Sequence, residues 1–111
     1  MVRKVSVGKE LVAGNNTVMY TVPDGYRASW QLLYMINNTA SSKLFTVEWL
    51  DANNTLICHV FQNYPLSSKT YLMFDSGAWV NLESGHSIRI HAEADSDADA
   101  IVSLELERNN A

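Results

Sequence analysis

Three groups of residues carry side chains that do chemistry elsewhere. Cys58-His59 sets a thiol beside an imidazole, the types that a nucleophile and its base require. His86 and His91 are metal-ligating types, and Asp95, Asp97 and Asp99 alternate with small residues as in a calcium loop. Spacing argues against each. Neighbours on an extended strand point to opposite faces, so Cys58 and His59 cannot share a proton if 55–63 is a strand. Cys58 then shares a face with Leu56 and Val60, where a free cysteine behaves as a small hydrophobe. His86 and His91 are five apart, an odd spacing that also separates them on a strand. The aspartate run lacks the glycine, the final glutamate and the flanking helices of an EF-hand, so it reads as a charged hairpin tip, with weak calcium binding left open. Glu48, Glu83, Glu93, Glu105 and Glu107 supply carboxylates, but the sequence pairs no two of them across a cleft. There is no glycine-rich phosphate loop and no Gly-x-Ser-x-Gly elbow. The expectation is no enzyme, no cofactor and no metal site.

The elements that position these groups follow a period of two. Ile88, Ile90, Ala92 and Ala94 fall on one face, opposed to Ser87, Arg89, His91 and Glu93. Val102, Leu104 and Leu106 are likewise opposed to Ser103, Glu105 and Glu107. Such alternation describes half-buried antiparallel strands. The short polar stretch 95–99 between them predicts that the two form a hairpin. Further strands are expected at about 2–7 and 9–12, 17–22, 27–37, 43–51, 55–63, 69–75 and 78–82. Turn formers separate them: Gly14-Asn15-Asn16, Pro23-Asp24-Gly25, Asn37-Asn38, Asp51–Asn54, Pro65, Ser76-Gly77 and Glu83-Ser84-Gly85. The three Asn-Asn-Thr copies, beginning at Asn15, Asn37 and Asn53, read as repeated turn chemistry rather than as glycosylation sites. The expected fold is all-β: an antiparallel, jelly-roll-like β-sandwich of about eight strands. It forms one domain over residues 1–111, with 1–12 as a pairing arm or edge strand.

Composition sets limits on partners. At 111 residues the chain suits one domain with its own core. Its net charge of −4 and pI near 5.2 argue against a phosphate-gripping nucleic-acid surface. One cysteine excludes an internal disulfide framework. No apolar run reaches the roughly 18 residues of a membrane span, and no signal-peptide run opens the chain. The expectation is a soluble protein made in the cytosol, with no membrane partner.

The informative anomaly is an excess of apolar residues. The chain is 47% apolar, and Leu32–Ile36 is apolar on both strand faces. Leu11-Val12, Leu56-Ile57 and Tyr71–Phe74 repeat the pattern. A two-layer sandwich needs only one apolar face per strand, so either a loop or the amino-terminal segment covers the second, or another subunit does. The residues expected at such an interface are Trp30, Leu33, Met35, Trp49, Tyr71, Met73 and Trp79. A sugar platform built on Trp30, Trp49, Trp79, Tyr26 and Tyr64 is the competing use of the aromatics.

Several stretches resemble small structural β-sandwich proteins of tailed-bacteriophage virions, of the decoration, neck or tail accessory type. Thr17–Ala28, with Val22-Pro23-Asp24-Gly25 at its centre, is similar to their strand, Val-Pro-x-Gly, strand opening. Leu32–Ile36 followed by Asn37–Ser42 resembles the next strand and its polar turn. Leu82–Ile90 resembles their Leu-x-x-Gly-Asp-x-Ile step, with His86 where an acidic residue is usual, and Ile101–Glu107 resembles their alternating ending. The resemblance covers about residues 17–107 and rests on turn grammar, so it transfers no functional residue. It implies a non-enzymatic protein present in many copies on a virion, made in the host cytoplasm. The expected partners are further copies of itself (a homo-oligomer) and virion proteins. A capsid decoration (cement) protein bound to the major capsid protein leads; a neck or tail adaptor and a glycan-binding module are the alternatives.

Overall fold

The alternating segments close into two antiparallel sheets packed face to face. The computed structural model describes residues 2–75 and 80–109. In chain order the strands are β1 (Val2–Leu11), β2 (Asn16–Thr21), β3 (Tyr26–Asn37), β4 (Lys43–Leu50), β5 (Leu56–Leu66), β6 (Tyr71–Phe74), β7 (Val80–Leu82), β8 (Ser87–Ala92) and β9 (Ala98–Arg108). The first sheet runs β1-β9-β3-β6, with β7 also on β3, and the second runs β2-β8-β4-β5. Pairing is nested: β1 with β9, β2 with β8, β3 with β6 and β7, β4 with β5. That is a long antiparallel ribbon rolled into two layers, the jelly-roll arrangement. The molecule is elongated along the strands, 50 × 26 × 18 Å.

The inward faces of both sheets fill the core. Trp30, Leu33 and Met35 of β3, Phe45 and Val47 of β4, Ile88 and Ile90 of β8, and Leu104 and Leu106 of β9 are all buried in it. Burying such side chains stabilises a sandwich by about 1.5–3 kcal/mol each, offset by the entropy of ordering the chain.

Three sequence expectations change. The stretch 95–99 does not join a hairpin. β8 pairs with β2 and β4, while β9 pairs with β1 and β3, so the connection crosses from one sheet to the other. Both strands keep their alternation because their apolar faces meet across the core, and alternation cannot distinguish that from in-plane pairing. Pro65 does not end a strand; it lies within β5, at the margin of the second sheet, where a missing N–H costs no ladder bond. Residues 2–11 form one unbroken strand rather than two, because Gly8 continues the ladder opposite Ile101.

A bulge in β3 sets which of its side chains face outward. Trp30 pairs with Leu104 and Leu32 with Ser103, so Gln31 is the extra residue. Inward parity therefore passes from Ala28 and Trp30 to Leu33, Met35 and Asn37. Trp30 Nε1 donates to the Leu32 carbonyl at 2.8 Å and braces this step.

Candidate functional site

Past the bulge, the outward positions of β3 are Leu32, Tyr34 and Ile36, all half-buried. Register sets Ile101 of β9 beside Tyr34 on one side and Met73 of β6 on the other, while Tyr71 lies opposite Ile36. Tyr71 is 61% exposed, Met73 48% and Ile101 38%. The Tyr34 and Tyr71 rings stack with centroids 5.7 Å apart. One end of the outer face of the first sheet is thus an apolar patch with an aromatic pair in it. The amino-terminal segment does not cover this patch, because it lies in the plane of the sheet as β1, bonded to β9.

Buried asparagine chemistry holds the patch in place. The Asn37 side chain ends β3 and is fully buried. Its Nδ2 donates to the carbonyls of Leu66 at 2.9 Å and Ser41 at 3.0 Å, and its Oδ1 accepts the Thr39 N–H at 2.9 Å. Its backbone N–H donates to Thr70 O at 3.0 Å, and its carbonyl accepts from Lys69 N–H. One residue thereby ties the β3–β4 loop to the β5–β6 loop and fixes where Tyr71 starts β6.

The other end of the same face is polar. Arg27, Ser29, Asn81, Glu83, Glu105 and Glu107 line a cleft of about 330 Å³. Arg27 donates to Glu107, and that carboxylate raises the guanidinium pKa through the hydrogen bond first and its charge second. The second sheet's outer face is mixed: Val18 and Leu44 are exposed on it, Leu56 and Ile57 are exposed on β5, and a charged group lies among them. Glu48 accepts from Arg89 Nε at 2.8 Å and from its Nη2 at 2.7 Å, with His59 Nε2 at 3.4 Å. His91 bonds Asn16.

The seven residues expected at an interface separate. Trp30, Leu33 and Met35 are core side chains with no exposed surface rather than interface residues: Trp30 faces inward with Ala28, and the bulge brings Leu33 and Met35 to the same inward face. Trp49 is half-buried and donates through Nε1 to His86 Nδ1 at 3.1 Å. Tyr71 and Met73 lie together on the exposed patch. Trp79 falls outside the described residues. Tyr34 lies within the doubled run Leu32–Ile36 although it is not among the seven, and Ile101 is the patch residue that sequence reasoning missed. The signal was present in Ile101, an apolar residue on the polar side of the β9 alternation, sharing parity with Ser103, Glu105 and Glu107.

The groups singled out for chemistry stay apart. Cys58 is exposed and lies opposite Trp49, while His59 lies opposite Glu48. His86 and His91 stand at the two ends of β8 with different partners, Trp49 and Asn16. Asp97 N–H donates to Thr39 Oγ1, and Asp99 accepts from Asn38. Among the described residues, no three His, Cys, Asp or Glu side chains converge on a point where a metal ion could sit. Asn37, in the second Asn-Asn-Thr copy, is inaccessible to a glycosyl group in the folded chain.

No protein-family model matches the chain, and no curated protein matches it in sequence. Solved structures do match in fold. One is from work on Bacillus endospore appendages described as disulfide-linked pili, at TM-score 0.59 and 10% identity, covering 99% of this chain and 88% of that one. Another is from the infectious bursal disease virus Gx strain, at TM-score 0.53 and 11% identity, covering 96% of this chain. The Gt strain of that virus gives TM-score 0.50 at 10% identity, with 95% of this chain covered. This chain spans 31% of the length of either viral chain. At these identities the likeness is one of fold, a two-sheet β-sandwich.

Proposed function

We propose that this chain is a non-enzymatic structural subunit of a virion, a capsid decoration (cement) protein that seats the outer face of its first sheet on shell subunits. The observation that carries the reading is the exposed patch of Tyr34, Tyr71, Met73 and Ile101 on a regular sheet face. Contiguous apolar surface of this kind on a monomer marks an interaction site. Symmetry multiplies such a contact over a particle, so a modest apolar face becomes a stable attachment. The fold shared with viral and pilus proteins supports the same reading. The burial of Trp30 removes one ring of the sugar platform, and the indole of Trp49 is engaged with His86, which disfavours the glycan alternative.

The test is attachment to particles. Tagged chain supplied during particle assembly co-sediments with the shells at a stoichiometry fixed by their symmetry, read by mass spectrometry or imaging. Met73→Glu abolishes that attachment while leaving the fold intact. Copies found only at one vertex move the protein to the neck or tail. A chain absent from particles, or a Met73→Glu variant that attaches as well as wild type, overturns the proposal.

A further inference from the structure

The geometry points to the outer edge of β1 as a docking site for an extended, acidic segment of another protein, added as an extra strand to the first sheet. This deepens the assembly reading, on which it rests, by assigning the chemistry of a partner.

The strands at the sheet margins are β1, β2, β5 and the pair β6 and β7. β2 shifts register between Val18 and Tyr20, and β5 shifts against β4 in three places. β6 and β7 meet β3 as two short pieces. Bulges and short lengths blunt an edge against pairing. β1 has neither: it runs ten residues, Val2–Leu11, in unbroken register with β9. As a sheet margin it turns alternate backbone N–H and C=O groups outward, the row that strand addition uses.

The side chains along this edge define what would fit. Val5 and Val7 of β1 and Tyr20 of β2 are only partly buried against the core at this margin, so an added strand could extend the core there with apolar residues at alternate positions. Charge brackets that stretch. Arg3 and Lys9 stand two residues to either side of Val5 and Val7 on the same strand face, while the other face of β1 carries Lys4, opposite Glu105, and Glu10, opposite Asp99. Arg3 lies close enough to Tyr20 for its charge to act on the phenol, and Lys9 Nζ is held by Val18 O at 2.7 Å. Two cations flanking an apolar pair on one face of a regular edge select a strand with apolar residues at the centre of that face and acidic ones at its ends. A second copy fits less well. Antiparallel self-pairing leaves Arg3 and Lys9 without an acidic partner: laying Val5 against Val7 sets them opposite each other, and laying Val7 against Val7 sets Lys4 opposite Glu10 but Arg3 opposite Leu11 and Lys9 opposite Val5.

The probes are two labelled ten-residue peptides whose alternate positions read Glu-Val-Val-Glu in one and Lys-Val-Val-Lys in the other, with serine at the remaining positions. With the full chain, the acidic peptide binds about tenfold tighter or better, weakens with salt, and slows exchange of outward-facing β1 amides. The surface variant Arg3→Glu/Lys9→Glu, with its melting temperature checked, inverts the preference. The inference is overturned if neither peptide protects β1, if the variant keeps the acidic preference, or if β1 amides gain protection with protein concentration alone. Particle attachment that persists while these outcomes fail removes this inference and leaves the proposed function standing.

Discussion

Replacing Asn37 removes a hydrogen-bonding hub without touching the apolar core. In Asn37→Ala the backbone bonds to Thr70 and Lys69 survive, while three side-chain bonds of 2.9–3.0 Å, to Leu66, Ser41 and Thr39, are lost. Each contributes about 0.5–1.5 kcal/mol net, and a buried carbonyl left without its donor costs about 1–3 kcal/mol more. Water entering the vacated space recovers part of this, so the expected loss is about 3 kcal/mol, or roughly 12 °C in melting temperature for a domain of this size. Equilibrium urea unfolding followed by tryptophan fluorescence measures it, with an unchanged denaturant slope as the sign of an unaltered unfolding reaction. Asn37→Asp adds a sign test. The carboxylate keeps an acceptor for Thr39 but faces two carbonyls without a proton to donate, so burial and those dipoles raise its folded pKa above the ordinary value of about 3.9. The stability of this variant is therefore greatest below that value and falls as pH rises through the folded pKa. A loss below about 1 kcal/mol in Asn37→Ala, or an Asn37→Asp variant more stable near pH 7 than near pH 4, would refute the hub assignment.

The other expected outcomes are more local. Gly85 has φ +83°, and a Cβ there would lie 2.7 Å from Ala52 Cβ, so Gly85→Ala should cost about 2 kcal/mol or more by thermal unfolding, with Ala52→Gly recovering only the steric part. Burial raises the Tyr20 phenol above 10.0 while Arg3 pulls it down. Tyr20 thus supports the fold below its unfolded pKa and the support fades as pH rises through the folded one; the wild-type minus Tyr20→Phe absorbance titration should show this, and Arg3→Ala should move the midpoint further up. Trp30→Phe leaves the Leu32 carbonyl at the bulge without its indole donor and opens space in the core, so a loss of about 1–3 kcal/mol is expected in denaturant unfolding.

Much of the fold was legible because strand alternation is a local property. The faces of β8 and β9 could be read from Ile88, Ile90, Val102 and Leu104, and all four are buried. Their partners could not be read, since the same inward face serves a hairpin or two opposed sheets. The candidate site was legible by half. Tyr71 and Met73 stood out as excess apolar residues and are exposed together. Trp30, Leu33 and Met35 stood out for the same reason and are core: one inserted residue, Gln31, reverses parity so that Leu33 and Met35 join Trp30 on the inward face, and it leaves no mark in composition.

The sequence by itself determined the strand class, the acidic balance, most turn positions among the described residues (Ser76-Gly77 lies outside them and Pro65 is in a strand) and the surplus of apolar side chains, all of which derive from residue type and spacing. Tertiary structure alone decided which sheet each strand joined and which apolar face stayed outside. It also decided that Asn37, one of three similar turn asparagines, became a buried hub. The physical reason is common to all three: pairing, parity after a bulge and burial depend on contacts between residues far apart in the chain, and those exist only once the two sheets have packed.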